Sequence, residues 1–153
     1  MTEGEEKFIE ETKQLELKLN AETDRWNSEI KRMGAGLKGD IKKLTDIQAE
    51  IISLNQLVSD EVRKNALMLK KANVSIKELR KTRFEFYSTK YQITVKNDTT
   101  KKGLIEADIA KIEYRSELLE THIQFLLSTS KNFESLNYAC KNRIELLNLL
   151  GLN

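Results

Sequence analysis

The sequence predicts an all-α fold of long, antiparallel, coiled-coil-like helices. Its 153 residues contain no proline, so nothing forces a break inside a long helix. Apolar residues recur at steps of three, four and seven along most of the chain, the period of an amphipathic helix. The composition, 33% charged and 39% hydrophobic with 7% aromatic, furnishes only a light core. Helices that bury their stripes against other subunits fit that balance better than a compact globule. The expected molecule is therefore a homo-oligomer, with a short irregular or extended insert near residues 92–103.

The first helix is expected over residues 5–33. Phe8, Leu15, Leu19, Trp26, Ile30 and Met33 form its apolar stripe, interrupted at Glu22. Glu3, Glu5 and Glu6 suit a helix N-terminus, where the macrodipole favours negative charge. Gly34, Gly36 and Gly39 then read as a turn, with Asp40 placed to cap the next helix. The stripe resumes through Ile41, Leu44, Ile47, Ile51, Leu54, Val58, Val62, Ala66, Leu69, Ile76 and Leu79. With no Gly or Pro over 40–91, a helix of about 50 residues and about 75 Å is allowed. Such a helix needs a partner. Residues 1–91 thus read as a long helical hairpin ending in a basic segment.

Residues 92–103 break the pattern. Gln92-Ile93-Thr94-Val95 reads as extended, and Asn97-Asp98-Thr99-Thr100 is turn chemistry before Lys101-Lys102-Gly103. Residues 104–153 return to helical spacing, through Ile109, Ile112, Leu119, Ile123 and Leu126, then Phe133, Leu136, Cys140, Ile144, Leu147 and Leu150. Asp108 is a candidate N-cap unless the helix runs through it. Ser128-Thr129-Ser130 marks a candidate kink. The apolar terminus Leu146–Leu152 reads as an assembly surface; the alternative is a helix packed on its own chain.

The net charge of +2 conceals strong asymmetry. Residues 1–30 carry four basic and nine acidic side chains, whereas residues 63–102 carry twelve basic and three acidic. A basic middle suggests a polyanionic partner. The single cysteine, Cys140, excludes an intrachain disulfide and favours a reducing compartment. No apolar run approaches a membrane span. The acidic start is not a secretory signal, so a cytoplasmic setting and no membrane partner are expected.

Catalytic chemistry finds little support. His122 lies among Leu119, Ile123 and Leu126 and reads as packed, not as a ligand or base. Cys140 has apolar neighbours and reads as an inert thiol. CxxC, HExxH and P-loop patterns are missing from the sequence, and the glycines of Gly34-Ala35-Gly36-Leu37-Lys38-Gly39 read as the turn between two helices, so neither metal nor cofactor is expected. The positive signal is the basic segment. Arg63, Lys70 and Lys77 recur every seven residues, with Lys81 a turn further on. Arg80, Lys81 and Arg83 lead into Phe84, Phe86 and Tyr87, followed by Lys90, Tyr91 and Lys96. Cations interleaved with aromatics suit single-stranded nucleic acid, whose phosphates take the cations and whose bases stack. The competing reading is a coiled-coil scaffold that binds other proteins, with these cations as a solvated helix face.

The stretch Leu79-Arg80-Lys81-Thr82-Arg83-Phe84-Glu85-Phe86-Tyr87-Ser88 resembles the Lys-x-Arg-hydrophobic-acidic-aromatic-Tyr-Ser segment of the UvsY recombination mediators of tailed phages. The similarity extends over residues 79–151. It takes in Leu104-Ile105-Glu106-Ala107-Asp108, Tyr138-Ala139-Cys140-Lys141 and the terminal Leu150-Gly151. It departs from the family at Thr89, where members often carry Gly, and at Leu136-Asn137, where many carry Arg-Gly. The resemblance implies a ring-like homo-oligomer, a hexamer or heptamer, that binds single-stranded DNA in the cytoplasm of an infected bacterial host. There it would help a RecA-like recombinase displace the phage single-strand-binding protein, in recombination, repair and recombination-dependent replication. Lys81 and Arg83 would be its DNA-contacting pair, with Lys77, Arg80, Phe84, Tyr87 and Lys90 around them. Ile144, Leu147 and Leu150 would lie in the oligomerisation region.

Overall fold

The structure, a computed structural model, describes residues 3–90 and 98–152. Among them every ordered element is helical and none is a strand. The elements are α1 (Glu3–Gly36), α2 (Ile41–Glu85), a π-helical turn (Phe86–Lys90) that continues α2, and α3 (Asp98–Leu149). No helix among the described residues is long and apolar enough to cross a membrane.

The α1–α2 connection follows its local chemistry. Gly39 N–H bonds Gly36 O at 3.2 Å, and the Asp40 carboxylate accepts from Lys43 N–H at 2.9 Å, capping α2. Gly36 is needed for close approach: a Cβ there would lie 2.6 Å from Ile47 Cδ1. At the other end, Gly151 takes φ +69°, with Gly151 N–H bonded to Asn148 O and Leu152 N–H to Leu147 O. That pair of bonds is a Schellman stop, which glycine permits without a Cβ penalty.

Three expectations about helix boundaries change. Residues 98–103, expected in the irregular insert, open α3 instead; residues 91–97 lie outside the described ones. Buried Ile105 and Ile109 anchor this first part of α3, and exposed Gly103 costs the helix only about 1 kcal/mol of propensity. Asp108 lies inside α3, not at its start. Ser128-Thr129-Ser130 does not divide the helix. The Thr129 hydroxyl donates to Phe125 O at 2.9 Å, which satisfies it without interrupting the backbone ladder.

The chain divides into two units. One comprises Met1–Leu17 and Ala66–Thr121, the other Lys18–Asn65 and His122–Asn153. The second unit has a core of Trp26, Met33, Ile47, Ile51, Val58, Leu126 and Phe133, drawn from all three α-helices. Trp26 and Phe133 meet edge to face, with centroids 6.0 Å apart. Full burial of side chains this large is worth roughly 2–3 kcal/mol each. Cys140 is buried here, and its thiol donates to Leu44 O at 3.1 Å; burial raises its pKa. His122 is also buried, against the Phe125 ring, with Nε2 3.4 Å from a Glu22 oxygen. Burial lowers its pKa despite that carboxylate.

The first unit has a separate core of Ile76, Tyr87, Ile105, Ile109 and Ile112, with Phe8, Leu79, Phe86 and Leu104 packed on it. It contains the described part of the basic segment from Ala66 onward, whereas Arg63 and Lys64 fall in the second unit.

Candidate nucleic-acid interface

The basic part of α2 presents two kinds of cation. Arg80 and Arg83 turn toward neighbouring helices. Arg80 bonds both oxygens of Glu106, at 3.3 and 3.2 Å, and pairs with Glu113. The hydrogen bond it donates to Glu106 is the main reason its pKa is raised. Arg83 pairs with Glu5 of α1, and its Nε lies 3.8 Å from Asp108 of α3. Asp108 also accepts the Tyr87 hydroxyl at 2.5 Å. So Glu5, Arg83, Tyr87 and Asp108 form one network that ties α1, α2, the π-helical turn and α3 together inside the first unit.

The lysines behave differently. Lys70, Lys71, Lys77 and Lys81 are exposed and form no ion pair among the described residues. On α2 the positions 70, 77 and 81 share a face, at steps of seven and four. The row runs about 17 Å along the axis, enough to meet several phosphates of a single strand. Exposed Leu67, Val74 and Phe84 flank it. Between the cations lies an open hollow of about 390 Å³, lined by Ala66, Leu69, Lys70, Asn73, Val74 and Lys77. Phe84 is 47% exposed, and Lys101 Nζ stands 5.2 Å from its ring centroid.

The expected site residues therefore separate. Lys77, Lys81 and Phe84 lie on the open surface. Arg80 and Arg83 are held by carboxylates, and Tyr87 is 7% exposed, too buried for its ring to receive a base. The Lys90 side chain lies outside the described ones. Arg63 and Lys64 are exposed but paired with Asp60 and Glu61 in their own helix. Lys70, which the seven-residue spacing had already singled out, joins the open row, and Lys71 is exposed beside it.

Sequence reasoning missed the partners. Glu5 read only as part of an acidic helix start and Asp108 as a cap, and Glu106 and Glu113 were given no partner. Arg115, which carried no motif, stacks its guanidinium 3.5 Å from the Phe8 ring centroid and donates to Thr12 Oγ1 and Phe8 O, each at 2.9 Å. Burial lowers its pKa. Only the i, i+3 and i, i+4 pairings within one helix were open to sequence inspection; these partners sit 21 to 107 positions away.

At the C-terminus, Ile144 and Leu147 are half-buried, while Leu146, Leu149, Leu150 and Leu152 are exposed, Leu149 by 84%. With exposed Tyr138 they leave an apolar surface on the second unit. No group of three His, Cys, Asp or Glu side chains suited to a metal occurs among the described residues.

Comparisons with family models, with curated proteins and with solved structures returned no match for this chain.

Proposed function

We propose that this chain is a non-catalytic recombination mediator. It binds single-stranded DNA as a homo-oligomer and helps load a RecA-like phage recombinase onto DNA coated by single-strand-binding protein. The observation that carries the DNA-binding part is the row Lys70, Lys77 and Lys81, exposed and without an ion pair among the described residues on one face of α2, beside exposed Phe84. The recombinase-loading part rests on the resemblance of residues 79–151 to UvsY mediators. The proposed setting is the cytoplasm of an infected bacterial host.

Unpaired lysines hold phosphate without reading sequence, as a protein that must act along any single strand requires. Phe84 offers a face to a base. Each subunit supplies few contacts, so tight binding comes from several subunits engaging one strand. The exposed leucines 146, 149, 150 and 152, with half-buried Ile144 and Leu147, supply an apolar surface for that assembly. Arg80 and Arg83 act here as braces that hold the lysine face in place, not as phosphate contacts.

Fluorescence anisotropy of a labelled single strand, beside a duplex control and over a range of salt, tests this reading. Preference for the single strand with a steep salt slope is expected, and both should weaken in a Lys70→Ala, Lys77→Ala, Lys81→Ala variant. Weak binding without strand preference would overturn it and leave a helical scaffold for other proteins.

A further inference from the structure

Among the described residues of the first unit, two aromatic rings stand exposed, Phe84 and Tyr114. Tyr114 is committed to a carboxylate: its hydroxyl donates to Glu16 at 2.9 Å, and Glu117 adds negative charge beside it. A phosphate strand is repelled there. Phe84 stands in the opposite setting. It lies just under one turn beyond Lys81, on the same side of α2. From α3, Lys101 brings its Nζ to 5.2 Å from the centroid of the ring. Lys101 forms no ion pair among the described residues, so no carboxylate neutralises its charge.

We infer that Phe84 and Lys101 form a one-nucleotide subsite, in which one unstacked base takes the ring while the ammonium moves to its phosphate, and that this subsite makes the chain prefer single strand to duplex. The subsite rests on the DNA-binding reading: the lysine row supplies affinity, and the ring supplies the strand preference. In the free protein an ammonium stands over the ring that a base would use. A cation over an exposed ring is worth roughly two- to fivefold in an equilibrium constant. A base stacked on an aromatic side chain is worth roughly five- to 100-fold. Exchange of the first for the second therefore runs toward the base. The flexible four-carbon stem of Lys101 lets the released ammonium turn to the phosphate of that nucleotide, and Lys81 serves the phosphate on the other side. A duplex offers its phosphates to the lysines as readily, but its bases reach the ring only after costly unstacking.

Anisotropy on the full chain, with three labelled ligands of one length, tests the subsite: a mixed-sequence single strand, the same backbone with abasic sites throughout, and the duplex. The parent should bind the base-bearing strand about fivefold or more tighter than the abasic one, a comparison that needs no variant. Phe84→Leu should bind these two alike, lose its preference over duplex and keep its salt slope. Lys101→Gln should lower the slope on the base-bearing strand by about 0.7, whereas Lys102→Gln, at the exposed neighbouring position, should leave it unchanged. Salt-sensitive binding in which the parent treats both single strands alike, or in which Phe84→Leu still discriminates, overturns the subsite and leaves the lysine row standing. An unchanged slope in Lys101→Gln, or equal loss in Lys101→Gln and Lys102→Gln, overturns the part given to Lys101. A parent that binds no single strand even at low salt overturns the DNA-binding reading, and the subsite with it.

Discussion

The Tyr87 hydroxyl donates to Asp108 at 2.5 Å, and the same carboxylate lies 3.8 Å from Arg83 Nε. A sequence motif that looks like a nucleic-acid contact is thereby partly consumed in holding α2, the π-helical turn and α3 together. The Asp108→Ala variant removes one acceptor from a buried ring hydroxyl and one charge from a mostly buried arginine. It should destabilise the chain by about 1–3 kcal/mol. Tyr87→Phe should cost about 1 kcal/mol, since it removes the donor but keeps the ring in the core. Urea denaturation followed by far-ultraviolet circular dichroism checks both, and equal stability of Asp108→Ala and the parent would refute the role given to this network.

The lysines and arginines of α2 should separate in experiment. For single strands the salt slope changes by about 0.7 per phosphate contact, so the Lys70→Ala, Lys77→Ala, Lys81→Ala variant should lose about 2 from the slope of log K against log salt, with its denaturation midpoint nearly unchanged. Arg83→Ala should do the reverse, lowering the midpoint because Glu5 and Asp108 lose their shared partner. Anisotropy and denaturation on the same preparations read out both quantities.

Two glycines inside helices should respond with opposite sign. Gly36→Ala places a Cβ 2.6 Å from Ile47 Cδ1 and 2.9 Å from its Cγ1. Ile47 is β-branched and buried, so it has little room to turn away, and overpacking of this kind costs about 1–3 kcal/mol. Gly103→Ala meets no heavy atom within 4 Å, and it should stabilise α3 by roughly 0.5–1 kcal/mol through helix propensity. Thermal denaturation of the two variants provides the comparison.

Stability should fall as the solution is acidified, with His122 contributing. Its folded pKa lies below the ordinary value of 6.5 because it is buried. As pH drops through 6.5 the unfolded chain takes up a proton that the folded chain does not, and the balance shifts toward unfolding. The loss continues down to the folded pKa and is then complete. Denaturation midpoints at pH 7 and pH 5 should therefore draw apart more in the parent than in His122→Leu. An equal pH dependence in both would show that Glu22, 3.4 Å from Nε2, offsets the burial.

The sequence by itself determined the helical character, because the absence of proline and the spacing of residues such as Trp26, Ile51 and Phe133 depend only on local geometry. The Gly36–Asp40 turn and the Asp40 cap were legible for the same reason: each is a bond or a turn preference within a few residues. The uneven charge was legible too, and with it the basic face of α2. Only the tertiary structure decided which cations remain open. Glu5, Asp108 and Glu113 reach Arg80 and Arg83 from other helices, and no periodicity records a contact between residues so far apart in the chain. The start of α3 at Asp98 was decided in the same way, since burial of Ile105 and Ile109 outweighs the turn preferences of Asp, Thr and Gly. Local propensities amount to about 1 kcal/mol per residue, whereas packing one isoleucine into a core is worth roughly twice that, so tertiary burial prevails where the two conflict.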